Sequence, residues 1–335
     1  MEPTRPPADS VAILGCGAAG LSCALWLKHL GFRPVLIDPG AAPGGQLLRL
    51  DRVNRWVLGL PGQTGPELAA RYAGHVRDEG IEPWLGRRVV AVAAAGGGFR
   101  LDLDGPAGRE NLSVRALVVA TGLRPRSREV LDPIPGGGAA HESGRVSYFP
   151  LDHLDPALAQ PGLRAAVLGG GDNAYCTALD LAGRAAQVHL LLRGQPRAQA
   201  RFQAEVRALA GRGGLAEHPG ATLDAFQITT DGIAIDFHRE GRQHHIEVDR
   251  IFVRAGLVPN TDFPAALGPL ARLDLDAEGY VRVDAQRRAS QPGVYAIGDV
   301  ANPALPAVVA AIADGAMAAR TLALDLTAPS PPTSP

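Results

Sequence analysis

Two glycine-rich turns, each between an apolar run and a helical pattern, constrain the fold of this chain more than any other feature. In the first, the apolar residues 10–14 lead into Gly15, Gly17 and Gly20, and a helical pattern follows. Glycines at this spacing permit a tight turn, the approach of a diphosphate to the backbone and close packing of the helix on the strand. Asp38 ends the next apolar strand, where a carboxylate can accept hydrogen bonds from ribose hydroxyls. The pattern predicts a dinucleotide-binding βαβ unit.

The same pattern restarts in the middle of the chain. An apolar run at residues 163–168 enters a second turn at Gly169 and Gly171, and another helical pattern follows. The next apolar strand, residues 187–193, ends in Arg193, where the first unit has an acid. After each unit, short segments of alternating polar and apolar residues predict an antiparallel meander. We therefore predict an α/β fold built by internal duplication, with two Rossmann-like three-layer ββα dinucleotide-binding domains.

A last apolar strand at residues 293–297 ends in Gly298 and Asp299 and precedes a long final helix. The Asp299 carboxylate is placed to meet the hydroxyls or the diphosphate of a dinucleotide. Sequence order alone puts this strand with the second unit.

Composition narrows the possible partners. The 335 residues carry a formal net charge of −1, which gives no electrostatic reason to expect nucleic acid or an anionic membrane. The three cysteines, Cys16, Cys23 and Cys176, are too scattered for a disulfide framework or a zinc site, so we expect no metal and a reducing cytoplasm. Residues 1–9 lack the apolar core of a signal peptide, and residues 326–335 are expected to form a second polar tail.

The ordered motifs GCGAAGL, PGGQL, VVATG, VLGGGDNA, FVRAGLVPNTDF and GVYAIGDV resemble those of the low-molecular-weight thioredoxin reductases and their relatives. The resemblance covers nearly all of residues 11–324. It implies an FAD-binding domain made of residues 1–122 and 255–335, with an NAD(P)H-binding domain of residues 123–254 inserted into it. It also implies a homodimer.

The resemblance and the glycine turns together assign two sets of cofactor-binding residues. Those expected to hold FAD are Gly15, Gly17, Ala18, Gly20, Asp38, Gly45, Gln46, Asn54, Thr121, Gly298, Asp299, Ala307 and Val308. Those expected to hold NAD(P)H are Gly169, Gly171, Asp172, Asn173, Arg193 and Arg197.

The chain departs from the thioredoxin reductase pattern at the redox dithiol. In that family a CxxC pair follows a Val-Ser-Tyr element, whereas Tyr148 is followed here by Phe149 and Pro150, and this sequence contains no CxxC. A dithiol relay needs two exchanging thiols. We therefore predict no catalytic side chain and no thioredoxin reductase activity.

The predicted NAD(P)H site also departs from the thioredoxin reductase pattern. Arg193 and Arg197 stand near the place of the family's cationic cluster and favour NADPH, although NADH stays possible. The alternative is that these two residues and Arg201 form a solvated basic face. Thr177 replaces an acidic residue that can orient the nicotinamide carboxamide.

Three functions remain open at this point. The first is an NADPH oxidoreductase that passes electrons through FAD to a separate acceptor such as ferredoxin, flavodoxin or another small electron acceptor, as in thioredoxin-reductase-like ferredoxin or flavodoxin NADP reductases. The second is a flavin-bound sensor with a decayed nicotinamide site, suggested by Thr177, Gly194 and Pro306. The third is a reductase of small disulfides that uses Cys16 or Cys23.

Overall fold

The computed structural model describes residues 9–50, 53–149, 152–158 and 160–327, so most of the two predicted tails lies outside the described residues. The chain divides into two compact units. Unit 1 comprises residues 1–123 and 259–335, and unit 2 comprises residues 124–258.

The elements of both units follow in chain order. They are β1 (Ser10–Leu14), α1 (Ala18–His29), β2 (Arg33–Asp38), α2 (Gly65–Asp78), β3 (Trp84–Leu85), β4 (Arg88–Ala95), β5 (Gly98–Gly105), β6 (Gly108–Val114), β7 (Ala116–Val119), β8 (Leu123–Pro125), α3 (Arg128–Leu131), α4 (Gly137–Glu142), β9 (Val146–Ser147), β10 (Arg164–Leu168), α5 (Asp172–Ala182), β11 (Gln187–Leu192), α6 (Ala200–Ala210), β12 (Leu215–Pro219), β13 (Thr222–Ile228), β14 (Ile233–Arg239), β15 (Arg242–Val248), β16 (Arg250–Val253), β17 (Leu257–Pro259), β18 (Val294–Ala296) and α7 (Val308–Thr327). Short 3-10 helices lie at Gly45–Arg49, Asp152–Leu154, Ala265–Leu267, Leu270–Arg272 and Gly298–Val300.

Unit 1 is built on a parallel sheet of strand order β18-β7-β1-β2-β3. Alternate residues of β1 face opposite layers. Val11 and Ile13 pack in the core with α1, α2 and α7, whereas Ala12 and Leu14 pack in the core with the meander β4-β5-β6. These are the three layers that the sequence predicts.

The position of β18 resolves an alternative that sequence order left open. Val294 pairs with Leu117 and Ala296 pairs with Val119, so the strand lies beside β7 of unit 1. The expectation from sequence order alone is wrong, and the expectation from the family resemblance is correct.

Helix α7 returns to unit 1 and crosses α1 at close range. A Cβ atom built on Gly315 would lie 2.5 Å from the Ala19 carbonyl oxygen, so glycine is required at this crossing. The Ser22 hydroxyl also donates to the Ile312 carbonyl oxygen at 2.8 Å.

Unit 2 repeats the same architecture. Its parallel sheet has the order β12-β11-β10-β16-β9. Ala165 and Val167 of β10 pack with α5 and α6, and Ala166 and Leu168 pack with the meander β13-β14-β15. The predicted fold class, two Rossmann-like three-layer domains with the second inserted into the first, is confirmed.

The chain passes between the units in β8 and β17, which form a two-stranded sheet. The resemblance implies boundaries after residues 122 and 254, whereas unit 2 spans residues 124–258. Residues 255–258 belong to unit 2 because β17 pairs with β8 and the Arg126 amide donates to the Gly256 carbonyl oxygen at 3.0 Å.

Candidate cofactor-binding sites

The three glycines of the first turn have different surroundings. A Cβ atom on Gly15, whose φ is +119°, would lie 2.3 Å from the Ala120 carbonyl oxygen, and one on Gly20 would lie 2.0 Å from the Gly15 carbonyl oxygen. These two glycines permit the close approach of β1, α1 and β7. By contrast, no described residue beyond its chain neighbours has an atom within 4 Å of a Cβ atom built on Gly17. The turn is therefore open at Gly17, where a ligand can approach the backbone.

The N-terminus of α1 presents unsatisfied donors beside this opening. Gly17 is the N-cap residue, no side chain caps the helix, and the first turn contains no acidic residue. The first amide groups of a helix have no partner within the helix and lie at the positive end of its dipole. The arrangement from Gly17 to Ala18 fits a diphosphate.

Asp38 is held beside the same turn. Its Oδ2 accepts a hydrogen bond from the Cys16 amide at 2.8 Å, and its Oδ1 accepts one from the Gly40 amide at 2.7 Å. Each carboxylate oxygen has a further lone pair for a ribose hydroxyl. Burial raises the pKa of the Cys16 thiol, and the Asp38 carboxylate adds to the shift, so this cysteine stays protonated at neutral pH.

The segment around Gly45 closes another side of the opening. A Cβ atom on Gly45 would lie 3.2 Å from the Gly17 Cα atom, and the Gly44 amide donates to the Cys16 carbonyl oxygen at 2.8 Å. The next residue, Gln46, donates from Nε2 to the Leu123 carbonyl oxygen at 3.2 Å.

Gly298 and Asp299 reach this region from the C-terminal part of the chain. A Cβ atom on Gly298 would lie 2.8 Å from the Ala19 Cβ atom, which brings the 3-10 helix at the end of β18 against the start of α1. Burial raises the pKa of the Asp299 carboxyl, and the neighbouring Asp314 adds to the shift. Two segments that are distant in sequence therefore lie side by side at the start of α1.

A buried ion pair, which the sequence did not reveal, holds Gly298. The Gly298 amide donates to Asp314 Oδ2 at 3.2 Å, and Arg287 Nη2 lies 2.5 Å from Asp314 Oδ1. Asp314 is 3% exposed, although it lies in a helix whose other side chains are mostly apolar. The only sequence signal is this single acid on the buried face of α7.

The remaining residues predicted to bind flavin make hydrogen bonds within the chain or begin a helix. Thr121 Oγ1 donates to the Asn260 carbonyl oxygen at 2.9 Å, and Asn54 Oδ1 accepts from the Trp56 amide at 2.8 Å. Val308 is the first residue of α7. The carbonyl oxygen of Ala307, the residue before it, accepts a hydrogen bond from the Ala311 amide at 2.9 Å.

The second glycine turn repeats the geometry of the first. A Cβ atom on Gly169, whose φ is +149°, would lie 2.3 Å from the Arg254 carbonyl oxygen. In the described part of the chain, by contrast, only the chain neighbours of Gly171 have atoms within 4 Å of a Cβ atom built on it. Gly171 is also the N-cap residue of α5, without a capping side chain. Unit 2 therefore has its own opening for a ligand at the end of β10.

A cavity of about 180 Å³ lies beside Gly171. Asp172, Asn173 and Arg197 line it, as does Tyr148. The Arg197 amide donates to the Gly170 carbonyl oxygen at 2.7 Å, which fixes the loop after β11 against the turn. Arg193 is exposed at the end of β11 and does not belong to this lining.

Arg254 is a further residue of this cavity that sequence reasoning missed. It is 6% exposed, and its Nε donates to Thr177 Oγ1 at 3.1 Å. Its Nη1 donates to the carbonyl oxygens of Val253 at 3.0 Å and Ser147 at 3.3 Å. Burial lowers the pKa of Arg254 to about 10, so the guanidinium is cationic at neutral pH. Thr177, at the position where the resemblance leads us to expect an acid, thus accepts a hydrogen bond from a buried cation.

Three further features of the described residues concern the cysteines, metal-ligating side chains and the helices. Cys16, Cys23 and Cys176 are buried and form no disulfide with one another, and burial raises the pKa of the Cys23 thiol. Residues 9–50, 53–149, 152–158 and 160–327 contain no group of three or more metal-ligating side chains placed to hold an ion. Within the same ranges, no helix has both the length and the apolarity needed to cross a bilayer.

The repeated fold and the two open glycine turns define a protein with two dinucleotide-binding units. The chain belongs to the pyridine nucleotide-disulphide oxidoreductase family, whose family model matches residues 9–315. Members of this family are oxidoreductases, and membership implies the use of FAD and NAD(P)H.

Individual relatives differ in length and in name. The chain is 31% identical over 326 residues to the F subunit of alkyl hydroperoxide reductase from Pseudomonas putida, covering 93% of this chain and 57% of that protein. It is 30% identical over 332 residues to ferredoxin--NADP reductase of Gluconobacter oxydans, covering 93% of this chain and 90% of that protein. The chain thus spans little more than half the length of the alkyl hydroperoxide reductase relatives.

Solved structures show the same fold. Thioredoxin reductase of T. acidophilum superposes with a TM-score of 0.78 at 24% identity, covering 96% of this chain and 100% of that structure.

Proposed function

We propose that this protein is an FAD-dependent NAD(P)H oxidoreductase that passes electrons from NADPH, by way of FAD, to a separate acceptor such as ferredoxin, flavodoxin or another small electron acceptor. One observation carries the proposal. Each unit has one glycine turn in which the first glycine is packed against a carbonyl oxygen and the glycine two residues later is open to a ligand.

Unit 1 is the proposed flavin unit. Gly17 and the amide groups at the start of α1 would bind the diphosphate. Asp38 would accept hydrogen bonds from the ribose hydroxyls, and Asp299 would contact the diphosphate or the ribityl chain. FAD, when bound, supplies a ring that accepts a hydride and releases electrons to an acceptor. The protein's part is to bind, orient and shield that ring.

Unit 2 is the proposed nicotinamide dinucleotide unit. Gly171 and Asn173, at the start of α5, line the cavity where the diphosphate would bind. Arg197 also lines it and supports a preference for the 2′-phosphate of NADPH, with Arg193 as a second cation.

The acceptor is proposed to be a separate molecule because the sequence has no CxxC and its cysteines are poor thiolates. Cys16 and Cys23 are buried, and their thiol pKa values are raised. A thiolate is the species that attacks a disulfide, so burial disfavours disulfide chemistry at these residues. The Gluconobacter oxydans relative, named for ferredoxin and NADP, supports an acceptor of the ferredoxin type.

Anaerobic stopped-flow mixing of the FAD-loaded full chain with NADPH or NADH tests the proposal. We expect the absorbance at about 450 nm to fall with either reductant and to fall faster with NADPH. Ferredoxin, flavodoxin, thioredoxin and a small disulfide are then added in turn, and ferredoxin or flavodoxin should restore the absorbance. Reduction followed by reoxidation with thioredoxin alone would overturn the proposed acceptor.

The reductant preference has its own matched variants. Arg197→Gln should slow reduction by NADPH and leave reduction by NADH unchanged, because only NADPH carries the 2′-phosphate. Arg201→Gln removes an exposed cation from α6 and serves as the control. An equal loss with both nucleotides in Arg197→Gln would contradict the role in phosphate recognition.

A second candidate function is a flavin-bound sensor with a non-functional nicotinamide site. The pairing of Thr177 with the buried Arg254 favours it, because the acid that could orient a carboxamide is absent. In that case neither NADPH nor NADH would change the flavin spectrum, whereas FAD would still bind.

We also propose that the protein is a homodimer located in the cytoplasm. Light scattering coupled to size-exclusion chromatography measures the oligomeric state. A mass equal to that of one chain at all concentrations would contradict the dimer.

A further inference from the structure

Exposed apolar side chains are concentrated in one segment of unit 1, at residues 48–50 and 53–58. Of the fourteen large apolar side chains that are exposed among the described residues, five lie there: Leu48, Leu50, Val53, Trp56 and Leu58. Trp56 is 80% exposed and Leu58 is 99% exposed. A group of exposed apolar side chains on a folded protein marks a surface that another molecule covers.

The second half of this segment belongs to a closed loop. The ends of the loop meet in an antiparallel bridge, where the Asn54 amide donates to the Gln63 carbonyl oxygen at 2.7 Å. Within the loop, Asn54 Oδ1 accepts the Trp56 amide at 2.8 Å, and the Val57 carbonyl oxygen accepts the Leu60 amide at 3.2 Å. Trp56 therefore projects from a main chain that is already held in place, so a partner need not order the loop on binding.

The inward side of the loop packs beside the predicted flavin site. Val57 and Leu60 contact a small apolar cluster. Two residues predicted to bind FAD, Ala18 and Val308, contact the same cluster, which consists of Leu47, Leu68 and Ala69. The loop and the start of α7 thus share one support, which brings the exposed side chains close to the site proposed for FAD.

The segment is also positively charged. Between residues 38 and 67 the sequence carries three arginines and one aspartate, a formal net charge of +2 in a chain whose total is −1. Arg55 is exposed and directly precedes Trp56. Glu67, at the base of the loop, accepts hydrogen bonds from the Thr64 amide and hydroxyl group and is attracted by Arg71. Tryptophan and arginine are enriched among the residues that contribute most to protein interfaces, and a cationic surface attracts a partner of opposite charge.

We propose that Arg55, Trp56 and Leu58, here called the Trp56 surface, form the docking site of the electron acceptor, and that this acceptor is an acidic carrier protein. The proposal rests on the proposed function, because an acceptor of electrons from FAD has to come close to the flavin. A small apolar centre with a charged border suits a transient electron-transfer complex, which buries little area. The proposal concerns docking alone, so it is tested with both proteins oxidised.

Isothermal titration calorimetry of the FAD-loaded full chain, with an acidic ferredoxin and an acidic flavodoxin as probes, measures docking in the absence of NADPH. We expect Trp56→Ser to weaken binding of at least one probe by about tenfold, because an exposed aromatic anchor is removed. Trp26→Ser is the matched control, since it removes an exposed tryptophan from α1. It should change the affinity by less than about twofold.

Two substitutions of Leu58 test the charge of the partner. Leu58 is almost fully exposed, so these variants also cover the case in which Trp56→Ser does not fold. Leu58→Glu should bind the same probe more weakly than Leu58→Lys by about tenfold at low salt, and the difference should shrink at about 0.5 M salt. Equal affinities of the two variants at low salt would contradict an acidic partner.

Arg55→Gln should weaken binding and reduce its dependence on salt, because the partner loses an opposite charge. Arg242→Gln, at an exposed position of β15, is the control and should retain both the affinity and the salt dependence.

Three results would overturn the proposal. The first is an unchanged affinity of both Trp56→Ser and Leu58→Glu for the probes. The second is an absence of binding of either probe to the unmodified chain. The third is the conversion of a dimer to a monomer by Trp56→Ser in light scattering, which would assign the Trp56 surface to a second copy of this chain.

Stopped-flow mixing of the unmodified chain with NADPH separates this proposal from the proposed function. Absence of flavin reduction would contradict the proposed function, whereas the calorimetry would still decide whether the carrier protein docks. Flavin reduction without binding of either probe would leave the electron transfer from NADPH to FAD in place and overturn the docking site.

Discussion

At the residue scale, Gly15 and Gly17 stand two positions apart and face different surroundings. Gly15 has a positive φ and is packed against a carbonyl oxygen, whereas the position of a Cβ atom on Gly17 is open. One glycine is therefore required by the fold itself, and the other is required only if a ligand occupies the opening. The same distinction separates Gly169 from Gly171.

This distinction gives a paired prediction. Gly15→Ala should prevent folding or lower the thermal midpoint strongly, because its Cβ atom would lie 2.3 Å from a main-chain oxygen. Gly17→Ala should leave the thermal midpoint of the flavin-free protein unchanged and weaken FAD binding by about tenfold or more, since the added methyl group occupies the space of the diphosphate. Differential scanning fluorimetry and flavin fluorescence titration measure the two effects.

The opposite outcome would change the assignment of the first turn. If Gly17→Ala binds FAD as tightly as the unmodified chain, the diphosphate does not lie at this turn.

The ion pair between Arg287 and Asp314 gives a second prediction. Asp314→Asn should destabilise unit 1 by about 1–3 kcal/mol, because Arg287, whose side chain is 23% exposed, loses its carboxylate partner. It should also weaken FAD binding, since Asp314 holds the Gly298 amide beside Asp299. Urea denaturation and flavin titration test these effects.

Asp284→Asn is the control for this variant, because Asp284 pairs with Arg288 at a more exposed site. Its cost should be below about 1 kcal/mol. Equal effects of the two substitutions would show that burial of the Asp314 pair does not matter.

Sequence reasoning identified the glycines but missed Arg254 and Asp314, and the reason is physical. The spacing of the glycines can be recognised from a few consecutive residues, because it is set by the geometry of one turn. Arg254 follows an apolar strand, and only the tertiary packing of Thr177 and Ser147 around it shows that it is buried. Asp314 similarly acquires its partners from Arg287 and Gly298, which are distant in sequence.

At the element scale, adjacent strands of unit 2 carry two histidines that touch. His189 on β11 and His218 on β12 stack with ring centroids 5.3 Å apart, and their Nδ1 and Nε2 atoms lie 3.1 Å apart. Burial lowers the pKa of His218 to about 4, and His189, Arg239 and His244 add to the shift. Burial also lowers the pKa of His189. The folded protein therefore favours the neutral pair.

Stability should consequently fall as the pH decreases from about 6.5 to about 4. In that window the unfolded chain binds a proton at His218 that the folded chain does not, so the free energy of unfolding rises with pH. We expect a loss of about 1–2 kcal/mol, discounted for the partial exposure of His218. Thermal denaturation at a series of pH values measures it.

His218→Gln should reduce this pH dependence, and His29→Gln, at an exposed position of α1, should retain it. An identical pH profile for His218→Gln and the unmodified chain would show that other groups cause the acid sensitivity.

Local signals predict the strand and helix on either side of each glycine turn, and the structure has them as β1 with α1 and as β10 with α5. The placement of β18 beside β7 could not be derived in this way, because strand pairing across the inserted unit depends on packing between distant segments.

At the scale of the whole molecule, the internal duplication was predictable because glycine turns, helical periodicity and alternating strands occur twice. The electron acceptor is not encoded in such periodic features. The proposed acceptor would recognise a surface, and the composition of a surface does not follow from strand or helix periodicity.

The cysteines give a prediction at this scale. A variant in which Cys16, Cys23 and Cys176 are all alanine should retain most of the rate of electron transfer from NADPH to ferredoxin or flavodoxin, because the proposed route uses no thiol. A steady-state acceptor assay, normalised to bound flavin, measures this rate. Loss of transfer in a variant that still folds and binds FAD would favour the disulfide reductase hypothesis.

The pairing of β18 with β7 also sets the order in which the molecule can be completed during translation. The inserted unit ends at residue 258, whereas the first sheet needs Val294–Ala296 to cover the free edge of β7. A nascent chain arrested between these points carries every strand of the second unit and an open edge on the first. The sheet of the first unit can thus be completed only after the second unit has been synthesised in full.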